Sequence, residues 1–156
     1  VVGAPCLVVQ VRAVPNPGTK KAATNPKQLE VILIATVYTN AGKAWVAGKM
    51  SGAEATSPDR IGWGTGAGTA AVTDTTLFTE AAETRATATL SRVTTSVTDD
   101  TFQAVGTLTS LSSQTITNAG LFDAASAGDL IIHGDHAGLP LLADDSIQYT
   151  IKLQQS

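Results

Sequence analysis

The last stretch of the chain, SIQYTIKLQQ at 146–155, alternates strictly. Ile147, Tyr149, Ile151 and Leu153 fall on one side, and Gln148, Thr150, Lys152 and Gln154 on the other. A period of two is that of a strand with one buried face. TFQAVGTLTSL at 101–111 repeats it, placing Phe102, Ala104, Gly106 and Leu108 on one face. LVVQVRAV at 7–14, TITNAGLFD at 115–123 and DLIIHGD at 129–135 read as further strands, and RATATLSRVTTSV at 85–97 as extended chain. QLEVILIATVYT at 28–39 is dense in β-branched residues and predicts the strongest strand. Asn40-Ala41-Gly42 then predicts a hairpin turn, with KAWVAGKM at 43–50 returning as the partner strand. Ile61 to Gly64 is a short strand with Trp63 as a core anchor. One short helix is predicted over 75–82, where Leu77, Phe78, Ala81 and Ala82 share a stripe and Thr73 or Asp74 supplies the cap.

These elements predict an all-β protein, an antiparallel β-sandwich of jelly-roll-like type with one short helix. Residues 1–55 are expected to form an N-terminal β-hairpin arm or subdomain that bridges neighbours. Residues 56–156 are expected to form the sandwich module. The opening, VVGAPCLVVQVRAV, has no basic start and reads as a strand rather than a secretion signal.

The glycines of IGWGTGAGTAA carry no nucleotide-binding fingerprint. The third glycine of a G-x-G-x-x-G would fall on Thr69 or Ala71, and no lysine follows as a P-loop needs. Gly64, Gly66 and Gly68 are instead expected to form a structural turn, through positive φ and close packing. On this reading Gly66→Val is harmful because a β-branched residue tolerates positive φ badly.

Aromatics make up 4% of the 156 residues, so the core is built mostly from small side chains. A thin core favours self-association, and a homotrimer is expected. A net charge of −3 leaves no basic face for nucleic acid. Lys20, Lys21 and Lys27 sit together in a polar loop. No apolar run reaches the length of a membrane span. A single cysteine, Cys6, excludes an internal disulfide, and it reads as a buried thiol.

His133, Asp135 and His136 are the best candidates for chemistry, as ligands of a divalent metal. The reading preferred here is a polar turn between strands. Asp99-Asp100 and Asp144-Asp145 read as turns, since adjacent strand side chains point to opposite faces and do not share a proton. Asp123 and Asp145 as separated acids have no supporting motif. Tyr38, Trp45, Trp63 and Tyr149 are the available sugar-stacking rings and are expected in core or interface. No enzyme activity and no cofactor are expected.

Four segments, GTGAGTAA, TDTTLFTE, ITNAGLFDAASAGDLIIHGD and LLADDSIQYTIKL, resemble virion structural proteins of tailed bacteriophages. The matching positions are Gly64 to Gly66, Asp74, Leu77, Glu80, Ile116, Gly120 to Asp123, Gly128 to Leu130, and Asp144 to Ile147. The resemblance covers roughly the C-terminal two thirds. The chain departs from the pattern at Asn118-Ala119, where an acidic residue is usual, and in HGDHAGLP. The resemblance implies a β-rich module assembled in repeated copies, without catalysis. It is greatest to head decoration (cement) proteins, which implies the major capsid protein as partner. It also implies a place on the phage head surface, after a time in the host cytoplasm during assembly. Val31, Ile32, Leu33 and Ile34 are then the bridging strand. The alternative is a tail-associated adaptor, fibre or receptor-binding protein.

Overall fold

The computed structural model describes residues 7–14 and 33–155. Its elements are β1 (Leu7–Val14), β2 (Leu33–Tyr38), α1 (Asn40–Ser51), β3 (Arg60–Gly64), β4 (Ala86–Thr87), β5 (Thr89–Val93), β6 (Thr101–Thr109), β7 (Gln114–Phe122), β8 (Leu130–Leu141) and β9 (Ser146–Gln154). They form two antiparallel sheets, in the orders β1-β9-β6-β5 and β2-β8-β7-β3-β4. The predicted alternation of β9 and β6 is what fills the space between them. Ala104, Leu108, Ile147, Tyr149, Ile151 and Leu153 meet Ile61, Trp63, Ile116 and Ala119 of the other sheet in one buried cluster. The protein is therefore an all-β sandwich with one short helix. The β5–β6 and β7–β8 connections stay within one sheet. That strand order does not carry the finer jelly-roll description.

The helix stands where a strand was expected. Residues 40–51 form α1, so Asn40-Ala41-Gly42 is a first helical turn and 43–50 is not a hairpin partner. Its ends explain why. The Thr39 hydroxyl accepts from the Gly42 amide at 2.9 Å, and Gly52 closes the helix at φ 79°. The Thr39 hydroxyl also donates to the Leu130 carbonyl, fixing the helix start to β8. In the helix only Gly42 and Trp45 are buried, so the apolar stripe is too thin to show a period of 3.6.

The expected hairpin arm is likewise replaced. β1 pairs with β9 from Leu7↔Leu153 to Val14↔Ser146, and β2 pairs with β8. Each N-terminal strand thus extends a different sheet. Leu33 and Ile34 lie in β2. Val31, Ile32, Cys6, Lys20, Lys21 and Lys27 lie outside the described residues.

In β8 the residues from Leu130 to His136 are all buried. A strand buried on both faces needs cover on both. One face meets the other sheet. The outer face is covered by residues 65–80, through Leu77 against Leu130 and Phe122, while α1 packs on β8 with Trp45 buried in the main cluster.

Candidate functional site

The outer face of β7 and β8 carries the densest set of buried polar side chains, and residues 65–80 are strapped across it. The strap begins as a continuation of β3. Gly64 bridges Glu80, the Thr65 amide donates to the Thr79 carbonyl at 3.0 Å, and the Gly66 amide to the Phe78 carbonyl at 2.9 Å. Gly64 to Gly66 therefore continues the strand pairing and is not a turn. The positive-φ glycines among the described residues are Gly52 and Gly128, so conformational freedom does not explain Gly64, Gly66 and Gly68. Lack of room does. A Cβ at Gly64 would stand 2.5 Å from the Phe78 carbonyl oxygen, and one at Gly66 2.7 Å from the Phe78 carbonyl carbon. One at Gly68 would meet the Phe78 ring at 2.5 Å.

No helix forms over 75–82. Thr79 has φ 49°, outside the helical region. Leu77 packs on Leu130 and Phe122, while the Phe78 ring lies against His133 with centroids 4.7 Å apart. Asp74 is accordingly not a helix cap. Its carboxylate accepts from the Ala71 amide at 2.8 Å and pairs with His133 Nδ1 at 2.7 Å.

Asn118 holds the strap from below. Its Oδ1 accepts from the Phe78 amide at 3.2 Å, and its Nδ2 donates to the Gly66 and Phe78 carbonyls at 3.2 and 3.1 Å. Three bonds to backbone groups of known polarity fix which end of the amide is oxygen. His133 Nε2 lies 3.4 Å from that oxygen. Asp135 accepts from the Ala70 amide at 2.9 Å. The departure at Asn118 from the resembled pattern is thus the residue that closes this fastening.

The three metal candidates do not converge. His133 and His136 stand three positions apart on one strand and so face opposite sides. His136 points inward, with Nδ1 at 2.9 Å from the Ala137 carbonyl and Nε2 at 3.5 Å from the Tyr149 hydroxyl. Among the described residues no three His, Cys, Asp or Glu side chains are grouped to hold a metal ion. The geometry assigns His133 and Asp135 to the strap, and His136 to the core.

Burial lowers the pKa of His136 from its ordinary 6.5, against smaller opposing effects of the Ala137 carbonyl and the Asp135 charge. The unfolded chain then binds a proton that the folded one resists. This contribution to stability is complete well above pH 6.5 and is lost as pH falls from there through the folded value. Urea unfolding at pH 7.5 and 5.5 is expected to show a loss that His136→Gln diminishes. An equal loss in both proteins would assign the acid sensitivity elsewhere.

The other acids serve their own loops. Asp100 accepts from the amides of Thr95 and Ser96 at 2.9 Å and Val97 at 3.0 Å, and these bonds hold its carboxyl well below the usual range. Asp145 accepts from the Leu142 amide at 2.8 Å, and Asp123 from the Asp129 amide at 2.7 Å. Trp45, Trp63 and Tyr149 are buried and Tyr38 is half-buried, so none offers a stacking platform.

Two further residues tie the structure and had no signal in the sequence. The Arg85 guanidinium meets both oxygens of Glu80 at 2.6 and 2.9 Å. It also donates to the Ala124 and Ala127 carbonyls at 2.9 and 2.6 Å, and it lies 3.3 Å from the Phe122 ring centroid. Glu83 accepts from Trp63 Nε1 at 3.1 Å, the Leu111 amide at 3.0 Å and Gln114 Nε2 at 2.5 Å. Both contacts join segments far apart in sequence. Among the described residues, no buried side-chain nitrogen or oxygen lacks a partner. The strap and its anchors form a closed fastening whose donors and acceptors are engaged within the chain.

No family model, no curated protein and no solved structure matches the chain.

Proposed function

We propose that this protein is a non-enzymatic structural component of a tailed-phage particle, a decoration (cement) protein of the head. On this reading it associates as a homotrimer on the outer surface of the shell and contacts the major capsid protein. Two lines support it: the resemblance of the C-terminal two thirds to virion proteins, and the arrangement of the N-terminal strands. The arrangement carries more weight. β1 and β2 touch each other and stand at the ends of the two sheet orders, so one flank of the sandwich bears two strand edges. A strand edge binds another chain through main-chain hydrogen bonds and needs little help from side chains.

The mechanism is linkage. A protein that binds the assembled lattice but not its separated parts stabilises the lattice by RT ln(1 + [L]/Kd) at each site, about 2.7 kcal/mol at a hundredfold excess over Kd. Summed over many sites, such local contributions resist heat and internal pressure. The test is deletion of the gene. Particles lacking the protein are expected to assemble, to lose heat tolerance and to adsorb to the host normally. Unchanged heat tolerance with lost adsorption would sink this reading and favour a tail component. Light scattering of the purified protein is expected to give the mass of three chains.

A further inference from the structure

One end of the sandwich is built from the β6–β7 connection and the β8–β9 connection, which hold each other. The Ser110 amide donates to the Asp145 carbonyl and the Asp144 amide to the Ser110 carbonyl, both at 2.8 Å. From these paired loops two leucines point outward: Leu111 is 74% exposed and Leu142 66%. Neither is on a loose loop. The Leu111 amide is held by Glu83 at 3.0 Å, and the Leu142 amide by Asp145 at 2.8 Å. Beside them runs a groove of about 360 Å³ lined by Ser113, Gln114, Thr115, Pro140, Leu141 and Leu142.

Met50 in α1, Val72 in the strap and Val97 in the β5–β6 connection are also exposed, but each comes from a different segment, which is ordinary for a protein surface. Two exposed leucines held rigid beside a groove are different. Their backbone is already held, so an apolar partner does not have to order the loops on contact. Among the described residues of these two connections and their anchor Glu83, the charges have one sign. Glu83, Asp144 and Asp145 stand here, and residues 110–115 and 140–146 contain no Lys or Arg. Glu83 and Asp145 are engaged with amides, while Asp144 is exposed.

We propose that this end of the sandwich is a docking surface for an extended protein segment bearing an apolar side chain flanked by lysine or arginine. The apolar side chain enters the groove beside Leu142, Leu111 covers it, and the flanking cation faces Asp144. A second copy presenting this same end is disfavoured as occupant, because it would bring another set of carboxylates to the contact. The inference uses a surface separate from the strand edges of β1 and β2, and it does not depend on the particle reading.

The probe is a capped five-residue peptide, Gly-Lys-Leu-Lys-Gly, with Gly-Glu-Leu-Glu-Gly as its counterpart, titrated into the full chain and followed by amide NMR. The lysine peptide is expected to shift resonances of 110–115 and 140–145, more weakly at high salt. The glutamate peptide is expected to leave them unchanged. Replacing both leucines, Leu111→Ser with Leu142→Ser, is expected to weaken binding at least tenfold, about what loss of one buried leucine side chain gives. Asp144→Asn is expected to weaken it about threefold. All three positions are exposed, and a thermal melt checks that the variants fold. Absent shifts, shifts spread equally over Met50 and Val97, or an equal response to both peptides would overturn the proposal. So would concentration-dependent self-association that the double variant abolishes, since it would give the surface to a second copy.

Discussion

Gly66→Val is expected to lower the free energy of unfolding by more than about 3 kcal/mol, a large part of the stability of a domain this size. The cause is crowding. The added Cβ would stand 2.7 Å from the Phe78 carbonyl carbon and from Thr79 Oγ1, and 2.8 Å from the Phe78 oxygen. Two of these atoms are backbone, held by the hydrogen bond from Gly66 itself, and cannot move aside alone. Because the clash is at Cβ, Gly66→Ala is expected to do nearly as much harm as valine. Gly52→Ala is the contrast. Gly52 has φ 79° and nothing within 4 Å of its missing Cβ, so its cost is conformational and about 1 kcal/mol. Urea unfolding of the three variants separates the two causes. Similar losses at Gly52 and Gly66 would show that crowding by Phe78 is not what requires Gly66.

Asn118→Leu is expected to cost on the order of 4 kcal/mol, although the two side chains are close in volume. The substitution strips the partner from the Phe78 amide and from the side-chain donor bonds of the Gly66 and Phe78 carbonyls. It also leaves His133 Nε2 facing an apolar group. Each buried polar group without a partner costs about 1–3 kcal/mol, and the strap can recover part by moving. Asn118→Asp is expected to be no rescue, because its second oxygen would face two carbonyl oxygens where Nδ2 now donates. The loss is expected to appear first as faster hydrogen exchange at Thr65 and Gly66, whose amides bond within the strap. Exchange and unfolding within about 0.5 kcal/mol of the parent would show that the strap is held by something other than Asn118.

The sheets were legible in the sequence where a strand buries one face. β9 and β6 alternate, and their inward residues are those the alternation names. β8 gave no alternation because both its faces are covered, and its burial runs unbroken from Leu130 to His136. At 40–51 the helix is marked by its capping residues and not by its apolar content. A helix that buries only one tryptophan and a glycine has no readable stripe, yet Thr39 and Gly52 mark its two ends. Over 75–82 the reverse holds. Leu77 and Phe78 suggest a stripe, but they make separate contacts in a stretch of turns. The fastening itself was out of reach. Asp74 and His133 lie 59 positions apart, and no local pattern pairs them. One part was available: along a strand, positions 133 and 136 cannot share a face, so strand geometry alone separates the two histidines.

The pairing of β1 with β9 also sets the order of events as the protein forms. Leu7 and Leu153 are partners, and 153 − 7 = 146 positions separate them. β1 leaves the ribosome long before β9 exists, and β2 likewise waits for β8. Both sheets therefore finish on contacts of long sequence separation, which close slowly because chain entropy is lost before the contacts repay it. During that interval β8 and β9 lack their outermost neighbours. A β1 from another newly made copy presents the same sequence in the same register and satisfies β9 equally well. Where many copies are made at once, the fold admits exchange of its first strand between chains as a direct consequence of its topology.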